Sequence, residues 1–339
     1  MEPAQLVVWA EFIGCIVAIG LAGTRLSLYG DIIAEKTGLS GSWIGLVLLA
    51  TATSLPELIT GISSVTLANA PNITVGDVLG SCVFNLSILV VIDFLSRDES
   101  IYRRARQGHV LSAAYGIALI SFVGANLLID GKIVLPTLGH VGLYSPVIVL
   151  LYFAAMRSIF LYEREQMSDF VEDVTERYPA VTLRAASLGY VVAGSIVAAA
   201  GVALPFVGAD IAAMMGWSNS FVGTLLVAAT TSLPELAVTI GALRLGAIDM
   251  AIANLLGSNL FDIVIIAIDD VAFLPGPILS HVSPIHGVSA LSAVIMSSLA
   301  IVGLFGRTGN RVFGTVGWVS LGLFAIYVLN SLGLYLLSE

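Results

Sequence analysis

Two glutamates, Glu57 and Glu235, each follow a proline in the middle of an apolar run. The first stands in LLATATSLPELITG (48–61), the second in LLVAATTSLPELAVTIG (225–241). Each proline lacks an N–H, so the carbonyls four residues earlier, at Ala52 and Thr230, lose their helical donor. A carboxylate at the centre of a bilayer costs about 3 kcal/mol even on conservative insertion scales. No Lys or Arg falls at the centre of an apolar run, so the counter-charge must come from outside the chain, as a bound cation or a proton. Thr53 and Ser54 precede Glu57 by four and three residues and share its helix face, and Thr231 and Ser232 stand likewise to Glu235. On the next apolar run of each half, Ser81 and Asn85 are spaced i, i+4, and so are Ser258 and Asp262. Carboxylates, one amide, hydroxyls and freed carbonyls are hard oxygen donors, which suit Ca²⁺ or Na⁺ better than zinc or copper. The nearest sulfur, on Cys82, lies about 100° around the helix from Ser81.

The charges suggest a mechanism. Two or three carboxylates held together repel and resist desolvation, so an empty site is costly to occlude. One Ca²⁺, several Na⁺ or protons would each relieve that cost. If only loaded sites switch sides, one load must be exchanged for another, which is antiport.

The elements that carry these residues follow from composition. The chain has 339 residues, 58% of them hydrophobic and 11% charged, with mean hydropathy +0.99. A soluble domain carries about a quarter charged residues. Apolar runs long enough to cross a bilayer recur throughout. The expected spans are 4–25, 42–69, 74–96, 108–129, 141–163, 182–207, 218–245, 248–272, 286–306 and 312–336, ten in all. The first lacks a basic leader and a small-residue cleavage site, so it reads as a retained helix. The fold class is therefore all-α and polytopic. A first five-helix half (1–163) and a second (182–339) are separated by an acidic loop (164–181). The net charge of −9 comes with no basic patch, which excludes nucleic acid as a partner. Cys15 and Cys82 both fall within spans and imply neither a disulfide framework nor a zinc site.

Lys and Arg stay on the cytoplasmic side of a membrane. Arg25 and Lys36, then Arg97, Arg103, Arg104 and Arg106, then Arg157, Arg164, Arg177 and Arg184, then Arg244, and finally Arg307 and Arg311 all sort to one face. They make up 13 of the 14 basic residues, and only Lys132 sorts to the other. Loops 1–2, 3–4, 5–6, 7–8 and 9–10 are thus expected in the cytoplasm and both termini outside, in a multi-pass protein of the cell membrane.

The two TSLPE copies belong to a longer repeat. The 37 residues from Ala22 align without a gap with those from Ala200, and GDVLGSCVFNLSILVVID (76–93) then matches ANLLGSNLFDIVIIAIDD (253–270). The repeats therefore cover about 22–93 and 200–270. Corresponding helices lie five spans apart. Five is odd, so the second copy enters the membrane from the opposite side. Inverted repeats with proline-broken helices at matching places, here spans two and seven, mark a secondary transporter with a midplane site.

At these residues the chain resembles the cation/calcium antiporter superfamily, on the side of its prokaryotic sodium/calcium exchangers. Paired TSLPE segments, each followed by GSxxF and then Asn85 or Asp262, carry the resemblance, which extends over essentially the whole chain. It implies that spans two, three, seven and eight form a core holding four cation sites, across which the long first and sixth spans slide. It implies that Glu57 and Glu235 ligate both Ca²⁺ and Na⁺. Thr53, Ser54, Thr231, Ser232, Ser81 and Ser258 would be further donors, with Asn85 and Asp262 flanking the central site. The backbone carbonyls of Ala50 and Ala228 would complete the Na⁺ ligands. Three Na⁺ for one Ca²⁺ is the family's usual ratio, and Asp262 is the acid able to stay protonated. Asp77 and Cys82 depart from the asparagines usual in the family, which stand at Asn254 and Asn259 in the second repeat.

The expected function is Na⁺/Ca²⁺ antiport by alternating access. Ca²⁺/H⁺ antiport, K⁺ dependence and a passive cation channel remain as alternatives. The chain has no HExxH, no GxSxG and no His near a buried Ser or Glu, which argues against an enzyme. No cofactor is implied beyond the transported ions, and nothing demands a second copy. Asp77 could be a pathway acid or a water-exposed helix end. Asp93 and Asp270 match across the repeat but sit at span ends, and read as solvated. The acids Glu163, Glu165, Asp169, Glu172, Asp173 and Glu176 lack EF-hand spacing and read as a solvated loop. His109, His140, His281 and His286 read as surface residues.

Overall fold

Hydrocarbon offers no water to backbone N–H and C=O groups, so a chain of this composition has to cross it as helices. The computed structural model describes residues 3–37, 52–96, 99–129, 136–167, 178–307, 311–312 and 315–337. Among them, eight helices are long and apolar enough to span a membrane, and one bent helix pair makes a ninth.

The first half comprises α1 (Pro3–Lys36), α2 (Leu55–Thr66), α3 (Pro71–Leu95), the short α4 (Ile101–Arg104), α5 (His109–Ile129) and α6 (Tyr144–Met167). The second comprises α7 (Leu183–Met215), α8 (Asn219–Val222), a π-helical turn (Gly223–Val227), α9 (Ala228–Thr231), α10 (Leu233–Arg244), α11 (Ile248–Ala272), α12 (His286–Gly306) and α13 (Trp318–Leu337). Two-residue hairpins, β1–β2 (Thr137–Leu138, Val141–Gly142) and β3–β4 (Arg311–Val312, Val316–Gly317), precede α6 and α13 at corresponding places in the two halves.

The middle of the molecule is α3 against α11. Their most apolar windows are 67% and 78% buried, whereas those of α1 and α13 are 28% buried. Large apolar side chains such as Leu21, Leu150, Leu188 and Leu329 stay exposed on the outer helices. That distribution suits a lipid-facing surface around a packed centre. Helices α1 and α7, of 34 and 33 residues, lie along one another. They run well past the expected 4–25 and 182–207, because their C-terminal ends continue as helix beyond those bounds. Each is about 50 Å long at 1.5 Å per residue, more than a bilayer core needs.

Both long helices touch the broken helices through glycines that correspond in the repeat. A Cβ at Gly23 would meet Pro234 Cγ at 2.3 Å, and one at Gly201 would meet Ile59 Cγ2 at 3.0 Å. Similarly, α3 lies on the π-helical turn because Gly80 brings its backbone against Thr224, where a Cβ would sit 2.4 Å from the carbonyl oxygen.

Asp93 and Asp270 are corrections to the sequence reading, since both are fully buried. Asp93 accepts from Ser100 Oγ (3.1 Å), Ile101 N (3.3 Å), Gly317 N (2.8 Å) and Ser320 Oγ (2.7 Å), tying the end of α3 to α4 and the start of α13. Asp270 accepts from Gly142 N (2.8 Å), Ser145 Oγ (2.5 Å), Tyr144 Oη (2.7 Å) and Ile278 N (2.7 Å), tying the end of α11 to the start of α6. A carboxylate with four donors needs no bulk water, so a position at a helix end did not mean a solvated one. His109 and His286 are buried as well. His109 Nε2 lies 2.9 Å from Asp249 Oδ1, and His286 Nε2 lies 3.1 Å from Asn72 Oδ1. Glu163 and Glu165 lie in α6, while Asp169, Glu172, Asp173 and Glu176 fall outside the described residues.

Candidate cation site

Each TSLPE segment breaks its helix at the serine. Ser54 (φ −90°, ψ 19°) and Ser232 (φ −84°, ψ 10°) sit in the bridge region between helix and strand, with nearly the same dihedrals in the two halves. A new helix then starts, with Pro56 or Pro234 at its second position, where the missing N–H has no helical partner to lose. The proline thus begins α2 and α10 rather than merely kinking a helix. The second pair bends by 44° at this point. The break puts Glu57 and Glu235 in the first turn of their helices, at the positive end of the helix dipole.

The two breaks meet the middles of α3 and α11. Glu57 and Glu235 are 1% and 0% exposed, so neither charge is solvated. Ser232 Oγ donates to Glu57 Oε1 (3.2 Å) and lies 3.0 Å from Ser81 Oγ. In mirror fashion, Ser258 Oγ donates to Glu235 Oε1 (3.3 Å) and lies 3.3 Å from Thr53 Oγ1. Each glutamate therefore has a serine from the other half or the adjacent helix on one oxygen. The other oxygens, Oε2 of both, are buried and have no hydrogen-bond partner.

Thr231 Oγ1 lies 3.2 Å from the carbonyls of Val227 and Ala228 and donates to Asp77 Oδ1 (2.8 Å). The Ala228 carbonyl also accepts from Ser232 N at 3.1 Å. Ser54 faces Asp262, yet the Ser54 hydroxyl and both Asp262 oxygens close no hydrogen bond. Asn85 Nδ2 donates to Asn259 Oδ1 (3.0 Å), which leaves Asn85 Oδ1 unpartnered. Asn259 Nδ2 in turn donates to the Cys82 carbonyl (3.1 Å). Of the residues expected at the site, Ala50 lies outside the described residues. The other eleven lie on the two broken helices or at the middles of α3 and α11.

Asp77 is fully buried and within electrostatic reach of Glu57, so it is not a water-exposed helix end. Sequence reasoning passed over Asp269. It too is fully buried, and both its oxygens lack a partner. The neighbouring Asp270 drew attention because it matches Asp93, whereas Asp269 faces an isoleucine, Ile92, across the repeat and so gave no repeat signal.

Among the described residues, no group of three or more His, Cys, Asp or Glu side chains stands ready to hold a metal ion. The acids are interleaved with hydroxyls instead. Unpartnered carboxylate oxygens at membrane depth, with serine and threonine oxygens between them, form a site that stabilises positive charge and offers an anion nothing.

Comparison with known proteins agrees with this architecture. Residues 7–162 and 186–333 match the family described as "Sodium/calcium exchanger protein". The inner membrane protein YrbG of Escherichia coli strain K12 is 24% identical over 331 residues, 96% of each chain. Among solved structures, the sodium-calcium exchanger NCX_Mj superposes with TM-score 0.61 at 22% identity, covering 95% of this chain and 97% of that one. The H⁺/Ca²⁺ exchanger CAX superposes with TM-score 0.70 at 14% identity, covering 98% of this chain and 86% of that one. At such identities the likeness is one of fold, and that fold is ten transmembrane helices in two inverted five-helix repeats. The match to the family spans both halves, and the chain belongs to the sodium/calcium exchanger family.

Proposed function

We propose that the protein is a secondary active antiporter that exchanges Na⁺ for Ca²⁺ across the membrane by alternating access. One observation carries this reading. Two repeat-related glutamates, Glu57 and Glu235, are buried at helix breaks in opposite halves, and each keeps one unpartnered oxygen. Ca²⁺ would be held by Glu57 and Glu235. Na⁺ would draw on the same acids and on Thr53, Ser54, Thr231, Ser232, Ser81, Ser258 and the carbonyls of Ala50 and Ala228. Asn85 and Asp262 flank the centre. In that role Asp262 would keep a proton, as the resemblance to the exchanger family implies.

Two carboxylates without a counter-ion are expensive to enclose, so the empty site stays open and only the loaded one switches. That coupling excludes uncompensated flux and distinguishes the protein from a passive channel. Basic residues on the odd-to-even loops support cytoplasmic placement of those loops, with both termini outside. One chain holds residues from both repeats and works as a monomer. It needs no cofactor and catalyses no covalent chemistry.

Proteoliposomes loaded with Na⁺ and diluted into Na⁺-free buffer test the reading. Labelled Ca²⁺ should enter these vesicles and not choline-loaded or K⁺-loaded ones. Uptake driven by an acid load in place of Na⁺ would reassign the protein to Ca²⁺/H⁺ exchange. The observation favouring that second reading is Asp77, an extra buried acid that contacts Thr231 at the site.

A further inference from the structure

The two repeats are not equivalent on the path from the site to the membrane surface. Beyond Glu57, α2 presents Gly61 and Ser64 on the same face, four and seven residues on. The Asp269 carboxylate packs onto Gly61 so closely that a Cβ there would sit 2.3 Å from Asp269 Oδ2. Asp77 lies within electrostatic reach of both Glu57 and Asp269. Asp269 Oδ1 and Oδ2, Asp77 Oδ2 and Ser64 Oγ are all buried and without hydrogen-bond partners, and all three residues are fully buried.

At the corresponding places in the other half these groups are replaced by neutral ones. Asp77 corresponds to Asn254, Gly61 to Thr239, Ser64 to Ala242 and Asp269 to Ile92. There Asn254 Nδ2 donates to Thr239 Oγ1 (3.1 Å) and to the Glu235 carbonyl (3.3 Å), closing the polar groups on one another. One side of the site therefore has a second pair of acids with three unpartnered oxygens between them, and the other side has an amide satisfied by a threonine.

We infer that Asp77 and Asp269, facing the Gly61 side of α2, form a second cation station that takes a hard divalent ion on its way between the central site and one membrane face. The station extends outward from the centre, which Asp77 touches through Thr231 Oγ1 (2.8 Å). Asp269 is seven residues past Asp262 on α11, about 10 Å along the helix. No Lys or Arg lies at span centres to neutralise the pair, and two carboxylates with a hydroxyl match one Ca²⁺ in charge and in donor type. The face it serves is where α2 ends and α3 begins, the outside on the sidedness proposed above. The opposite half-path has no acid below Glu235 at the matching positions, so ions leave or enter there without such a stop.

The inference rests on the exchanger reading for its purpose, and its test does not depend on transport. Ca²⁺ binding to the purified full-length protein is measured by equilibrium dialysis. A Glu57→Gln/Glu235→Gln variant removes the central charges. It should keep one weaker class of Ca²⁺ binding, and adding Asp269→Asn should weaken that class about tenfold, as loss of one ligand charge does. Asp77→Asn, which supplies the amide that the second repeat already carries, should do the same and covers a failure of the first variant to fold. In proteoliposomes, Asp269→Asn alone should raise the Ca²⁺ KM about tenfold from one face and leave the other unchanged. If the double variant binds no Ca²⁺, or if Asp269→Asn and Asp77→Asn leave its binding unaltered, the station does not exist. If the wild type fails to exchange while this binding pattern holds, the exchanger reading falls and the station stands.

Discussion

Glu57 and Glu235 carry two opposite demands, and a single substitution separates them. Each is buried with an unpartnered oxygen, so in cation-free buffer each charge destabilises the fold, and with cation bound each stabilises it. Glu57→Gln should therefore raise Tm in cation-free buffer, abolish the rise in Tm that Ca²⁺ gives the wild type, and cut Ca²⁺ uptake about 100-fold. A variant with normal uptake would remove the carboxylate from the mechanism. Asp270 is the contrasting acid. Its four donors make it a clasp rather than a ligand, and in Asp270→Asn the new amide N–H would confront two of those donors. The expected cost is about 3 kcal/mol of stability, seen as a lower Tm, with Ca²⁺ affinity unchanged.

At the scale of elements, α1 and α7 meet the broken helices through closely packed glycines. Gly23 lets α1 approach Pro234, and Gly201 lets α7 approach Ile59, in corresponding places. The clearances differ, at 2.3 Å for the first and 3.0 Å for the second. Gly23→Ala should thus be the more damaging, costing about 1–3 kcal/mol by overpacking, while Gly201→Ala costs less. If the long helices slide during transport, both variants should slow uptake more than they weaken equilibrium Ca²⁺ binding. Equal losses in the two measurements would place the glycines in packing alone. The π-helical turn at Gly223–Val227 runs directly into Ala228, whose carbonyl lies 3.2 Å from Thr231 Oγ1.

For the whole molecule, the asymmetric distribution of basic residues makes a topological prediction. In a variant lacking Cys15 and Cys82, Gln107→Cys should react with an impermeant maleimide only from the cytoplasmic side. Leu138→Cys, at an exposed hairpin position, should react only from outside. Labelling of both from one side would overturn the span count and with it the inversion of the repeats. Inversion matters to function because it places Glu57 and Glu235 at one depth on helices that enter from opposite faces.

The sequence by itself determined the class of the molecule and the group of acids and hydroxyls that gathers at the two helix breaks. Long apolar runs leave the backbone no choice but helices, and a repeat five spans long must be inverted by parity alone. Spans 248–272 and 286–306 coincide with α11 and α12 residue for residue. Proline beside glutamate in an apolar run marks a helix break with a charge, so Glu57, Glu235 and their serines and threonines were legible as a group. Only the tertiary structure decided what lies off the repeat's symmetry or depends on contacts distant in sequence. Asp93 and Asp270 were expected in water, yet donors from hairpins and helices far along the chain keep them buried. Asp269 had no counterpart to draw attention to it, and its partner is a glycine that shows nothing in sequence except the absence of a side chain. Spacing along one helix can report which residues share a face. It cannot report which face of another helix comes to meet them, because that is set by packing, and packing depends on the whole chain at once.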